Sequence, residues 1–275
     1  MSVKQISYCL TIFFLWHTTA TYAGGEVFPL GSRQAGIGRT SAAITDFWNI
    51  QNNQAGIALI DKISFGVFYE SRFMVNELAM KSAAVIIPTK IGVLGASFNH
   101  FGYSMYSDIK IGLVYARSFG QYFRIGLQLD YLQTTIGDHY GSKSSLTFEL
   151  GIQSDVTEAV TIGAYVYNPV RVKLADYTNE SIPAIFRLGI GWKISNDLFV
   201  TVEAEKNTAI NPVIVRGGIE YGIREKFFIR AGFTTMQEIF SMGFGLNIKF
   251  LRFDISAVMH QSLGFSPQSN LVFQF

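Results

Sequence analysis

The chain ends in the stretch N-L-V-F-Q-F at residues 270–275, in which every second residue is large and apolar. Because successive side chains of a β-strand point to opposite faces, Leu271, Phe273 and Phe275 share one face. The stretch therefore predicts a β-strand that runs to the last residue of the sequence and carries an aromatic residue at its end.

The first 23 residues predict a signal peptide for export. Lys4 supplies a positive charge, residues 6–16 are mostly apolar, and small side chains stand at Thr21 and Ala23. The apolar run is too short for a spanning helix, so we expect cleavage after Ala23. The only cysteine, Cys9, lies within this segment, which excludes disulfides from the remaining chain.

The composition is that of a membrane-embedded β protein. Charged residues make up 15% of the chain, whereas soluble proteins carry roughly 25%. Aromatic residues also reach 15%, and beyond the signal no stretch has the roughly 18 consecutive apolar residues of a spanning helix. These features favour a transmembrane β-barrel over the alternative of a secreted β-sandwich. The formal net charge of +2 provides no strong field for binding nucleic acid.

From residue 61 onward, segments of about ten residues alternate apolar with polar or glycine residues. We count fourteen such segments, with twelve as the alternative because residues 73–90 are weakly patterned. If the first strand runs outward, the connections between strands at the inner end are all short and several at the outer end are longer, the longest being 169–182. Outer-membrane barrels sort their connections in this way, and sandwiches do not. We therefore predict an all-β fold, a transmembrane antiparallel β-barrel over residues 59–275.

Five charged residues on neighbouring predicted strands are candidates for the interior of the barrel. They are Glu203, Glu205, Arg216, Glu220 and Arg230. Charges on the lipid face would be costly, so we expect these side chains to point inward. Their order along consecutive strands predicts ion pairs across the wall. Two interpretations stay open: the pairs fill and stiffen the interior, or they line a path for a substrate.

Residues 24–58 do not alternate and are rich in glycine and other small residues. An irregular backbone survives at membrane depth only where protein surrounds it. We therefore predict that this segment is a hatch or plug, inside the barrel or at its periplasmic mouth. The alternative is a disordered leader in the periplasm.

Several stretches resemble one known family. The run G-S-R-Q-A-G-I-G-R-T-S-A-A-I at 31–44 and the run N-Q-A-G-I-A at 53–58 resemble the amino-terminal region of the PorV/PorQ group of Bacteroidetes outer-membrane proteins, which are similar to FadL-type transporters. Residues 205–221, residues 229–233 and the hairpin at 252–255 also resemble that group. The group commonly has Asn-Pro-Ala-Gly where this chain has N-Q-A-G, so the proline is absent here.

The resemblance implies a fourteen-stranded barrel in the outer membrane, with a hatch that includes Asn53, Ala55 and Gly56. It implies a non-enzymatic role in type IX secretion, with secretion-system proteins or exported cargo as partners. The alternative that it implies is a FadL-like channel for the uptake of hydrophobic small molecules. Such a barrel is also expected to contact outer-membrane lipid and the barrel-assembly machinery, for which the terminal aromatic Phe275 is the expected signal.

The sequence carries no motif that indicates catalysis, a metal site or a cofactor. No Gly-x-Ser-x-Gly elbow is present, and His100, His139 and His260 lack the spacing of metal ligands. The run G-I-G at 36–38 resembles the start of a phosphate-binding loop, but no predicted strand precedes it. We therefore expect a protein that is not an enzyme and needs no cofactor.

Overall fold

The computed structural model describes residues 28–137, 141–172, 181–235 and 238–275. The predicted signal peptide and the first residues of the predicted hatch lie outside the described residues. From residue 64 onward the chain forms fourteen antiparallel strands in one closed ring, which we call the wall. The prediction of an all-β transmembrane barrel with about fourteen strands is confirmed, and the twelve-strand alternative is wrong.

Each strand pairs with its neighbours in sequence. The strands are β1 (Ser64–Ser71), β2 (Ala79–Thr89), β3 (Gly92–Tyr103), β4 (Tyr106–Phe119), β5 (Phe123–Ile136), β6 (Gly141–Asp155), β7 (Val160–Tyr167), β8 (Ile185–Lys193), β9 (Leu198–Asn207), β10 (Ile214–Ile223), β11 (Phe227–Thr234), β12 (Glu238–Ile248), β13 (Leu251–His260) and β14 (Gly264–Gln274). They have between 8 and 15 residues each. A tilted strand needs roughly 9–11 residues to cross the hydrocarbon layer, so these lengths suit a transmembrane barrel.

The ring closes where the last strand meets the first. β14 pairs with β1 from Ser64 opposite Gln274 to Glu70 opposite Gln268. The backbone N–H of Phe275 then donates a hydrogen bond of 2.9 Å to the carbonyl oxygen of Ile63. Closure satisfies the backbone groups of both edges, which lipid could not do.

Side chains alternate between the two faces of the wall. In β8, Phe186, Leu188 and Trp192 are exposed on the outside, whereas Arg187 and Gly189 are buried inside. An apolar outer face suits lipid, and charged side chains are kept off it. The inside of the ring therefore holds polar side chains, and these need partners because they are buried.

Connections at one end of the barrel are short, as at residues 90–91 and 249–250. At the other end several are longer, and the longest joins β7 to β8 across residues 168–184, of which 173–180 lie outside the described residues. We call the first end the inner end and the second the outer end. β1 starts and β14 stops at the inner end. Within the described ranges, no helix is long and apolar enough to cross a membrane.

Candidate functional site

Residues 28–60 lie within the ring of strands, and we call them the inner segment. They contain one short helix, α1 (Ser32–Gly36), and two 3₁₀ turns at Phe47–Ile50 and Gln54–Ile57. Nearly every residue from 29 to 57 is buried. The segment packs against the side chains and glycines that the wall turns inward, so it fills the space that the ring encloses.

Two polar side chains start the 3₁₀ turns of the inner segment. Asp46 accepts a hydrogen bond of 2.9 Å from the backbone N–H of Trp48. Asn53 accepts one of 3.2 Å from the backbone N–H of Ala55. Asp and Asn are favoured at such positions because their side chains satisfy N–H groups that the turn leaves without partners. The sequence therefore sets the local shape of this segment.

The predicted interior charges Glu203, Glu205 and Arg216 meet in one cluster. Arg216 donates to the two oxygens of Glu205 at 2.7 and 3.0 Å and to Glu203 at 3.2 Å. Arg187 of β8 donates to Glu205 at 2.6 Å. None of these four side chains is more than 3% exposed. Two carboxylates and two guanidinium groups thus balance each other where water does not reach them.

The predicted charges Glu220 and Arg230 meet in a second cluster. They face each other across β10 and β11 at 2.5 Å. Arg33 of the inner segment donates to both oxygens of Glu220, at 2.9 and 2.6 Å. Asp46 accepts from Arg252 of β13 at 2.9 Å and from Arg33 at 3.3 Å. Ion pairs thus tie the inner segment to two strands of the wall.

Asp46 is held in its ionised form by these contacts. Burial alone would raise the pKa of Asp46, but Arg252 and Arg33 lower it more strongly, and Gln34 adds a hydrogen bond of 3.1 Å. The pKa of Asp46 therefore lies well below its usual range. A carboxylate whose pKa is lowered on folding stabilises the fold above its unfolded pKa, and this stability is lost as the pH falls through the folded pKa. The contribution of Asp46 is thus complete at neutral pH.

Glu203 also binds the backbone of the inner segment. Its Oε2 accepts hydrogen bonds from the N–H groups of Ser41 and Ala42, at 2.8 and 2.7 Å. A buried carboxylate is stabilised by such charge-assisted bonds. The alternation of side chains predicted Glu203 in the interior but not its bonds to the backbone of Ser41 and Ala42, because a pattern of side chains carries no information on backbone partners.

The structure places Asn53, Ala55 and Gly56 near the carboxyl end of the inner segment, and all three are buried. Asn53 donates to the carbonyl oxygen of Ala164 in β7 at 3.2 Å. A Cβ atom at Gly56 would lie 2.9 Å from the Cβ of Asn49 in the first turn, so a larger residue would push the two turns apart. These residues therefore fix the compact shape of the segment and join it to the wall.

Gln54 follows Asn53 at the position where the sequence resemblance would lead one to expect proline. Its side-chain amide donates to Gln128 of β5 at 3.2 Å and to Glu149 of β6. Glu149 also accepts from Lys110 and, at 2.8 Å, from Tyr165. Proline has no side-chain donor and could make none of these bonds. The side chain of Gln54 thus attaches the inner segment to β5 and β6 by hydrogen bonds.

Glycines that face inward let the backbone of the inner segment approach the wall. A Cβ atom at Gly163 would lie 1.9 Å from the carbonyl oxygen of Ala42, and one at Gly232 would lie 2.0 Å from the nitrogen of Gly38. Similar approaches occur at Gly126, Gly151 and Gly218. Glycine inside a strand often marks such a contact. Glycines that share a face with the charged residues were thus a readable signal for the inner side of the wall, although the close approach of the inner segment to them was not predicted.

Apolar contacts hold the opposite flank of the inner segment. Phe47, Trp48, Ile50 and Ile57 are buried in one cluster with residues of β1–β4 and β14. These wall residues are Phe68, Ala84, Ile86, Val93, Val114, Ala116 and Val272. We call β1–β4 with β14 the apolar side of the wall, and β8–β13 the charged side.

On the apolar side, an ion pair joins the inner segment to β1. Arg39 donates to Glu70 at 2.9 Å, near the outer end of β1. Below it, the contacts of the apolar cluster are non-directional, as between the rings of Trp48 and Phe68, whose centroids are 5.6 Å apart. Neutral hydrogen bonds add to this packing, since Gln51 and Asn99 of β3 exchange two amide bonds of 3.2 and 3.0 Å. The inner segment is therefore fixed by clustered ion pairs on one flank and by packing with a few polar contacts on the other.

A cavity of about 220 Å³ lies at the inner end, where the two sides meet. Phe47 and Trp48 line it from the apolar cluster, and Arg252 and Asp254 line it from the charged side. Phe275 lies on the outer face of the wall and is 74% exposed, so it is not part of this interior. Among the residues that the structure describes, no group of three or more His, Cys, Asp or Glu side chains could hold a metal ion.

Comparisons with known proteins identify the fold but no close relative. No protein-family model matches the chain, and no curated protein matches it. The solved structure of the CymD monoaromatic hydrocarbon channel is 12% identical, with a TM-score of 0.72 over 90% of this chain and 99% of that one. The toluene transporter TbuX of Ralstonia pickettii is 13% identical, with a TM-score of 0.66 over 90% and 98%.

A FadL homologue from Pseudomonas aeruginosa has the same architecture. It is 12% identical, with a TM-score of 0.63 over 92% of this chain and 98% of the other. At such low identity the likeness establishes the fold alone. This chain therefore has the fold of the FadL-related outer-membrane β-barrels.

Proposed function

We propose that the protein admits small hydrophobic molecules across the outer membrane and that the inner segment is the hatch of this passage. The proposal is supported by the fold, which this chain shares with a monoaromatic hydrocarbon channel and a toluene transporter. The single observation that carries it is the unequal attachment of the inner segment, with ion pairs on the charged side and an apolar cluster on the other.

The apolar side is where a hydrophobic molecule could pass with the smallest cost. Parting two apolar surfaces in front of an apolar guest exposes little new surface to water, because the guest replaces the lost contacts. Parting the charged side would leave buried ions without partners, which is strongly unfavourable. The passage therefore runs between the inner segment and β1–β4, towards the cavity at the inner end.

The role in type IX secretion stays a prediction that rests on the sequence resemblance. Two solved structures that share the fold are named as a monoaromatic hydrocarbon channel and a toluene transporter, which supports the alternative better. Deleting the gene and profiling surface proteins tests the secretion role directly, since loss of proteins from the surface is its expected result.

Uptake by whole cells tests the proposed passage. The chain is produced in a host that lacks its own hydrocarbon channel, and entry of labelled toluene is compared with entry of a labelled sugar. We expect toluene to enter several-fold faster than in cells with an empty vector, with sugar entry unchanged. Equal toluene entry in both cell types would refute the proposal, and so would a matching rise in sugar entry.

A disulfide on the charged side tests which flank opens. An ideal Cβ atom on Gly189 of β8 lies 3.1 Å from the Cβ of Ala42, close to the roughly 3.8 Å of a disulfide. The double variant Ala42→Cys/Gly189→Cys should therefore lock the inner segment to the charged side under oxidising conditions. We expect toluene entry to persist when the lock is oxidised. Entry that stops on oxidation and returns on reduction would show that the charged flank has to move.

A further inference from the structure

The cavity at the inner end has one apolar and one polar half. Phe47, Trp48 and Leu59 of the inner segment and Val272 of β14 supply apolar lining. Phe47 and Trp48 are buried, whereas Leu59 is half exposed and marks the entrance. A ring or short hydrocarbon would therefore find apolar contacts on this half of the cavity.

The polar half of the cavity is built from ions that already balance each other. Arg252 donates to Asp46 at 2.9 Å and through Nε to Asp254 at 2.9 Å. Asp61, which is exposed, lines the cavity as well. Asp46 also pairs with Arg33 at 3.3 Å and Asp254 with Arg230 at 2.7 Å, so both buried carboxylates are already compensated by guanidinium groups. The charges thus favour a neutral ligand that can hydrogen-bond to them.

The size of the cavity matches one aromatic ring with a small substituent. An apolar protein cavity of about 150 Å³ takes up benzene. The cavity here measures about 220 Å³, which leaves room for one polar group beside the ring. A hydroxyl group suits this position because it donates to carboxylates and accepts from N–H groups.

Trp48 adds a second observation. It lines the cavity, it is 1% exposed, and its indole Nε1 has no hydrogen-bond partner among the described residues. Buried N–H groups are usually paired. Because this Nε1 is itself buried, an acceptor on a ligand would satisfy it only after the indole ring turns towards the cavity. A ring that bears only hydrogen would leave it unsatisfied.

We propose that this cavity is a binding site for neutral monoaromatic alcohols and phenols at the inner end of the passage. This proposal rests on the proposed function, because it specifies the class of molecule that the passage would deliver. Binding can nevertheless be measured without transport.

Tryptophan fluorescence provides the direct test. Trp192 faces lipid, so Trp192→Phe leaves Trp48 as the only tryptophan after the predicted signal peptide. This variant, folded in lipid nanodiscs, is titrated at neutral pH with benzyl alcohol, toluene or benzoate. These three molecules share one ring and differ in the polar group.

We expect a saturable change in Trp48 emission with benzyl alcohol, and binding at least tenfold weaker for toluene and for benzoate. Equal affinity for toluene would overturn the proposed ligand class. No saturable change with any of the three would overturn the site.

A pair of matched variants locates the binding. Leu59→Phe narrows the entrance of the cavity, and we expect it to weaken benzyl alcohol binding at least tenfold. Leu263→Phe is the control, because Leu263 is similarly exposed but lies in the connection at the outer end. An equal effect of both variants would place the ligand elsewhere. If benzyl alcohol binds as expected but the cells show no uptake of toluene, the site stands and the proposed passage fails.

Discussion

The charged side and the apolar side of the wall hold the same inner segment by different physics. On the charged side, Arg33 places two hydrogen bonds on Glu220, and Asp46 pairs with Arg252. On the apolar side, Ile50 packs in a cluster of buried hydrocarbon. Ion pairs demand a fixed geometry, whereas apolar contacts tolerate sliding and replacement. The difference indicates which flank is an anchor and which can open.

Energetics support this distinction. Removing one partner of a buried ion pair costs about 3–5 kcal/mol, because the other charge is left without compensation. Replacing one apolar neighbour with another of similar volume usually costs less than about 1.5 kcal/mol. A hydrophobic guest is such a replacement, so only the apolar side can exchange contacts with it at low cost.

Removing the charge of Glu220 from the charged side should lower the free energy of unfolding the most. Glu220→Gln leaves Arg33 and Arg230 without their shared carboxylate, so we expect the free energy of unfolding to fall by about 3–5 kcal/mol. Trypsin should also cleave faster after Arg33. Denaturant unfolding in lipid and timed proteolysis measure the two effects. Glu225→Gln is the control, because Glu225 is exposed in a short turn. Equal stability of the two variants would contradict the role of Glu220 in attaching the inner segment to the wall.

Adding a methyl group between the wall and the inner segment should lower the free energy of unfolding by a smaller amount. In Gly163→Ala the new methyl group would overlap the carbonyl oxygen of Ala42, so the inner segment has to shift away from β7. Overpacking of this kind costs about 1–3 kcal/mol. Hydrogen exchange should become faster at Ala42 and its neighbours.

A matched glycine controls for the change of residue type. Gly217 lies on the outer face, where a Cβ atom would meet only the movable ring of Phe233 at 2.6 Å. Gly217→Ala should therefore leave exchange in the inner segment unchanged. If Gly163→Ala also left it unchanged, the close approach of the inner segment to β7 would be wrong.

Trimming the apolar side should cost less and should not release the segment. Ile50 is fully buried, and its Cδ1 lies 2.7 Å from an ideal Cβ atom on Gly95. Ile50→Val removes this methyl group, for which we expect a loss of about 0.5–1.5 kcal/mol. Trypsin cleavage after Arg33 should stay slow, and toluene entry should be kept or increased. If trypsin cleaved Ile50→Val as fast as Glu220→Gln, the apolar side would hold the inner segment as firmly as the charged side, which contradicts the comparison.

The wall was predictable because its signal is local. Alternation with a period of two is imposed on each strand by lipid outside and polar groups inside, as in β8. The same rule placed Glu203, Glu205, Arg216, Glu220 and Arg230 on the inner face, where the structure also has them. Each strand needs only its own residues for this prediction.

The partners of those charges were not predictable in the same way. Arg33 and Glu220 are 187 positions apart, and nothing in the sequence around either residue points to the other. Gln54 shows the same limit, because its bond to Glu149 depends on how the inner segment lies in the finished barrel. Such contacts are decided by packing after the wall has closed, so periodicity alone does not reveal them.

Removing Phe275 should have as small an effect on stability as Ile50→Val, and it tests closure of the wall separately from attachment of the inner segment. Its side chain is 74% exposed, and its N–H donates one hydrogen bond to Ile63, so deletion should cost about 0.5–1.5 kcal/mol. If Phe275 is the assembly signal, the yield of heat-modifiable barrel in the outer membrane should fall far more than this loss explains. Phe275→Ala keeps the backbone bond and should reduce the yield as strongly as deletion, whereas Phe250→Ala, at an exposed turn of the inner end, should not. A normal yield with Phe275→Ala would mean that the last residue serves only to close the wall between β14 and β1.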